Sequence, residues 1–92
     1  MTDPLAALRD KFRARTAQDL VQFKALIRGE LTSRELRHLV HSLAGAAGTF
    51  GFPALSEAAA LVDDDYAAGR TPDKAALDRL HRELEGVATP RP

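Results

Sequence analysis

Ninety-two residues make one domain, and a chain of that size buries only about 60 to 65% of its unfolded surface, so its core must be compact. Thirteen Lys plus Arg balance thirteen Asp plus Glu, which removes the usual electrostatic case for nucleic acid, and the absence of cysteine excludes disulfides, thiolate nucleophiles and thiolate zinc sites. No stretch approaches the roughly 18 apolar residues of a membrane span and Met1–Pro4 does not read as a signal peptide, so a cytoplasmic protein with no membrane or nucleic-acid partner is expected.

Apolar residues recur at helical spacing throughout and β-branched residues are few, which predicts an all-α fold. Leu5, Leu8, Phe12, Thr16, Leu20, Phe23 and Ile27 keep one phase, predicting a long helix from about Pro4 to Arg28 closed by Gly29. At roughly 1.5 Å per residue it would span about 37 Å, twice the length of its partners. A break is therefore expected at Thr16, where Asp19 follows three residues on as in a new N-cap, and this would set off a short extra N-terminal helix. Thr32-Ser33-Arg34-Glu35 is a capping-box pattern opening a second helix, with Leu36, Leu39, Val40, Leu43, Ala47 and Phe50 as its stripe. Pro53 suits the first turn of a third helix that carries Leu55, Ala58, Ala59, Val62 and Tyr66 inward and ends at Gly69. Thr71-Pro72-Asp73 supplies cap, proline and early acid for a fourth, with Leu77, Leu80, Leu84 and Val87 inward. Connections of two to four residues imply antiparallel neighbours, so the expected architecture is one up-down four-helix bundle over residues 1–92, with a loose tail at about 88–92.

Three histidines and no cysteine keep the search for chemistry short. At 100° per residue His41 lies about 150° from the centre of its helix's apolar stripe and should face water. Arg34, Arg37 and His38 lie one to two turns before it; Ala44, Gly45 and Gly48 lie one to two turns after. Glycine inside a helix costs about 1 kcal/mol relative to alanine. Two on the exposed side therefore predict a bare shelf where another protein approaches the backbone beside the imidazole. Asp63 is placed by counting from the turn. His41 precedes Phe50 by nine residues and Asp63 follows Pro53 by ten, so both sit roughly 14 to 15 Å from the turn and Asp63 can reach across from the flank of its helix.

The segment His41-Ser-Leu-Ala-Gly45-Ala-Ala-Gly48-Thr-Phe-Gly51-Phe resembles the phosphoacceptor segment of histidine phosphotransfer (HPt) domains, and is especially similar to that of the first domain of the chemotaxis kinase CheA. The likeness covers roughly His38 to Asp65. It implies a four-helix bundle whose exposed histidine exchanges a phosphoryl group with a receiver-domain aspartate, with a receiver domain, a sensor histidine kinase or both as partners. It also implies that the acidic residue at the position of Asp63 hydrogen-bonds the histidine, leaving Nε2 as acceptor. On this reading the chain is a monomeric phosphocarrier rather than an autonomous enzyme. It has no cofactor of its own, and Mg²⁺ belongs to the partner. One departure is Ala44, where the family usually has lysine; Arg37 is the candidate substitute for that charge.

Each of these residues also has an ordinary reading. An exposed helical histidine is usually a solvated side chain, and the glycines in register tip His41 towards a phosphoacceptor. His38 and His41 at i, i+3 lack a third ligand for a metal. His81 reads as a boundary residue, Arg34 and Arg37 as a solvated face, and Asp64 and Asp65 as surface. Two further functions fit the same residues: a module that binds a receiver or kinase without taking phosphate, and the phosphorylatable first domain of a CheA-like kinase.

Overall fold

The computed structural model describes residues 3–89. Four helices follow in order: α1 (Pro4–Leu26), α2 (Arg34–Thr49), α3 (Pro53–Ala67) and α4 (Lys74–Ala88). Each packs on its neighbours in sequence and α4 returns to α1, while α1 with α3 and α2 with α4 lie across the diagonals, with no close backbone approach among the described residues. The pairing of α2 with α3 is the most extensive. Their contacts run in opposite sequence order: Ser56 reaches Ala44, Asp63 reaches His41, and Tyr66 reaches Leu31 just before α2.

The expected stripes form the core. Leu36, Leu39, Val40, Leu43 and Ala47 of α2 are buried together with Leu55, Ala58, Ala59 and Val62 of α3, and with Leu77, Leu80, Leu84 and Val87 of α4. Phe50 and Tyr66 are only partly buried at the ends of their helices. α1 contributes Phe12, Phe23 and Thr16. The expected break in α1 is absent, because the Thr16 hydroxyl donates to the Phe12 carbonyl one turn back (2.8 Å) and is thereby satisfied inside a continuous helix instead of capping a new one. No short extra N-terminal helix forms; α1 overhangs its partners, which leaves Leu5 and Leu8 at 55% and 44% exposure rather than in the core.

Chain reversals also differ in detail from the expected ones. α1 stops at Leu26 through tight turns, Arg28 N–H to Ala25 and Gly29 N–H to Leu26, without a left-handed glycine. Ser33 rather than Thr32 caps α2, accepting from the Leu36 N–H, which leaves Glu35 as the second helical residue, out of register for the expected capping box; the Ser33 N–H goes to the Glu30 carbonyl. Asp73 itself caps α4, accepting from Ala76 N–H, and thus replaces Thr71, while Pro72 is buried ahead of the helix. The connections at 27–33 and 68–73 are longer than expected; that at 50–52 is as short as expected. The helical part of the expected tail extends to Ala88; residues 90–92 lie outside the described residues.

Two glycines are required by the backbone. Gly51 (φ 90°) and Gly69 (φ 75°) follow α2 and α3 in left-handed conformations. In each case the next residue bonds back across the turn, Phe52 N–H to Ala47 and Arg70 N–H to Asp65, closing the helix end. Phe12 of α1 then stacks on Phe50 and Phe52 at centroid distances of 5.1 and 5.5 Å, and the Arg13 guanidinium covers the Phe52 ring. Much of the Gly-Thr-Phe-Gly-Phe stretch therefore builds and seals the α2–α3 turn.

Candidate functional site

α2 has one apolar stripe, and burying Leu36, Val40, Leu43 and Ala47 against its neighbours turns His41 outward. The His41 side chain is 77% exposed, while that of Asp63 on α3 is 30% exposed. Nδ1 of His41 lies 3.0 Å from Oδ2 of Asp63. A carboxylate only accepts, so Nδ1 carries the proton and donates, an arrangement that in the neutral ring leaves the lone pair on Nε2.

The pair is bracketed by two further bonds between the same segments. On one side the Ser56 hydroxyl of α3 donates to the Ala44 carbonyl of α2 (2.8 Å). On the other, the Tyr66 hydroxyl donates to the Leu31 carbonyl. Burial pushes the Tyr66 phenol up, with the Arg37 guanidinium pulling it weakly back, so it remains a donor at neutral pH.

A shallow depression of about 590 Å³ opens beside His41, lined by Arg34, Arg37, His38, His41, Asp63, Tyr66 and Ala67. Arg34, Arg37 and His38 are exposed, and among the described residues neither arginine is in an ion pair. The Arg37 guanidinium lies over the Tyr66 ring, 5.8 Å from its centroid. This wall is cationic and its N–H donors are available, a combination suited to an anion.

The other side of His41 is bare. A Cβ built on Gly45 meets nothing within 4 Å. Gly48 is different: a Cβ there would lie 3.3 Å from the Ser56 hydroxyl oxygen, so its smallness serves the close approach of α3 as well as any partner. Gly51 is accounted for by its turn. The expected shelf of Gly45 and Gly48 therefore reduces to Gly45 with the edge of Gly48. Ala44 is half-buried against the core beside them.

His81 sits apart on α4, tilted against Phe23 with Nε2 3.6 Å from Glu85. Among the described residues no three of His, Asp and Glu converge as a metal site would need, and no helix is long and apolar enough to cross a membrane. Asp64 is exposed, and Asp65 pairs with Arg70. Tyr66 was missed as a site residue. Its signal was its place one turn after Asp63, at the margin of a stripe, with a hydroxyl that needs a partner.

In this four-helix bundle an exposed imidazole is oriented by a carboxylate from the adjoining helix and flanked by arginines that are in no ion pair among the described residues, an arrangement suited to an anion beside His41. The family model described as Hpt domain matches residues 7–89, and the chain belongs to that family. No curated protein and no solved structure matches it. Hpt domains are histidine phosphotransfer modules of two-component signalling, phosphocarriers that interact with histidine kinases and receiver domains.

Proposed function

We propose that His41 is the phosphoacceptor of this domain and that the phosphoryl group passes between its Nε2 and the aspartate of a receiver domain. The carrying observation is the 3.0 Å contact between Nδ1 and Asp63 beneath an imidazole otherwise open to solvent. In the transfer, the Nε2 lone pair attacks phosphorus and an N–P bond forms as the P–O bond to the receiver's aspartate breaks, releasing that carboxylate. Nδ1 keeps its proton, so the phosphorylated ring is a cation, and Asp63 lies against that charge. Arg37, with Arg34 and His38, faces the incoming phosphoryl oxygens, while Gly45, Gly48 and Ala44 form the side over which a partner approaches. Mg²⁺ would be held by the receiver, and a monomer in the cytoplasm suits these partners.

The test is incubation with a radiolabelled phosphorylated receiver domain. Acid-labile label should appear on the wild type and be lost in His41→Gln, whose melting temperature should stay within about 2 °C of wild type because the side chain is exposed. Label that persists in the variant, or that maps to His38 or His81, refutes the assignment. Binding to the receiver without any label would make the domain a docking module instead.

A further inference from the structure

Arg37 lies one turn before the imidazole, on the rim of the depression, and is exposed. A free arginine there would spread over many rotamers, and concentrating its charge near Nε2 costs side-chain entropy. Proteins usually restrain such a side chain with a carboxylate, which cancels the charge and occupies the forked N–H donors. Here no carboxylate pairs with Arg37 among the described residues, and its guanidinium rests instead over the face of Tyr66. A ring face attracts the cation but takes none of its in-plane donors, so the guanidinium is held and still able to bind phosphoryl oxygens. The ring is itself fixed at both ends: its body packs against the core and its hydroxyl is bonded to the Leu31 carbonyl.

We propose that Tyr66 is a positioning residue for phosphoryl transfer, a neutral platform that holds Arg37 beside Nε2 of His41 without consuming its donors. This rests on His41 being the phosphoacceptor. The probe that isolates it is phosphoramidate, whose P–N bond breaks as the N–P bond to His41 forms, releasing ammonia. It brings no protein partner, so the only side-chain cations are those of this domain.

Rates of His41 labelling are compared for wild type, Tyr66→Phe, Tyr66→Leu, Arg37→Ala and the Arg37→Ala/Tyr66→Leu double variant, each well below its melting temperature. Tyr66→Leu should slow labelling about two- to fivefold, the factor a cation–π contact at an exposed site corresponds to. Tyr66→Phe loses the bond to Leu31 and should melt earlier, yet keep most of the wild-type rate because the ring face remains. With Arg37 already absent, Tyr66→Leu should have no effect on rate. If Tyr66→Phe slows labelling as much as Tyr66→Leu, or if Tyr66→Leu slows it equally without Arg37, the ring acts through packing and the proposal is overturned. A wild type that takes no label at His41 removes the phosphoacceptor reading and, with it, this role for Tyr66; only that outcome touches both.

Discussion

Replacing Asp63 with Asn separates the two things a carboxylate can do for His41. Asparagine still offers a carbonyl oxygen to Nδ1–H, so the tautomer and ring orientation survive, but the negative charge is gone. Two unit charges 3.0 Å apart attract by about 1.4 kcal/mol at the dielectric of water, and a ring 77% exposed belongs near that limit rather than the interior one. Because the ring gains its charge only as the N–P bond forms, between half and all of this is felt in the transition state. Asp63→Asn should therefore label about three- to tenfold more slowly, with the difference shrinking at high salt. Its melting temperature should barely move, since exposed pairs contribute only about 0 to 1 kcal/mol. Phosphoramidate kinetics give the rate, and nitrogen–phosphorus NMR identifies the labelled nitrogen. It should remain Nε2 in the Asn variant and divide between the two nitrogens in Asp63→Ala, where no acceptor fixes the proton. An Asn variant as fast as wild type would show that the carboxylate charge does not reach the reacting centre. Exclusive Nε2 labelling in the Ala variant would show that packing, not the hydrogen bond, selects the nitrogen.

Gly45→Arg should fold and melt several degrees higher, since its Cβ enters open space and arginine is the better helix former by about 1 kcal/mol. It should accept phosphate from phosphoramidate normally but from a receiver domain at least tenfold more slowly; equal loss with both donors would show that the shelf is not the docking side. Ala44→Lys should accelerate phosphoramidate labelling several-fold in an Arg37→Ala background and much less in wild type, because one nearby cation already serves the phosphoryl oxygens; equal gains in both backgrounds would show that Arg37 contributes no such charge. Asp19 is buried on α1 with one carboxylate oxygen unbonded, and burial raises its pKa above the ordinary 3.8 against the weaker pull of Arg15. Ionised Asp19 therefore disfavours folding, so Asp19→Asn should melt higher at pH 7. The gap should close as the pH falls through the raised value and below 3.8, where both proteins carry a neutral side chain folded and unfolded. A gap independent of pH in thermal melts would assign the effect to packing.

What could be read from residue order was what local chemistry decides. The i, i+3, i+4 stripes of α2, α3 and α4 gave the buried faces, and with them the outward direction of His41. Equal residue counts either side of a short turn brought Asp63 level with it. Misreadings arose where a neighbour in space decides. Thr16 and Asp19 look like a helix start until the Phe12 carbonyl is seen to satisfy the hydroxyl. Leu5 and Leu8 share the phase of Phe12, but the shorter helices do not reach far enough to cover them. Gly48 looks like a site for a partner's backbone until Ser56 is found opposite it. Tyr66 was counted as core, and only the α1–α2 loop, with Leu31 beneath its hydroxyl, shows that it faces both ways.

The site's geometry is consequently a property of the α2–α3 pair. Leu43 and Val62, fully buried, lie within two residues of His41 and Asp63 respectively, so the packing that holds the helices together also sets the spacing of the two side chains. The Ser56–Ala44 and Tyr66–Leu31 bonds flank the His41–Asp63 contact in both segments, which opposes sliding of one helix along the other. A 3.0 Å hydrogen bond tolerates only a few tenths of an ångström before it weakens. Truncations at Leu43 or Val62 should therefore disturb the orientation of His41 more than truncations of equal size at Leu84, which is buried on the helix diagonally across the bundle from α2. The carrier thus depends on its core at one pair of helices, while α1 and α4 complete the bundle that keeps that pair in register.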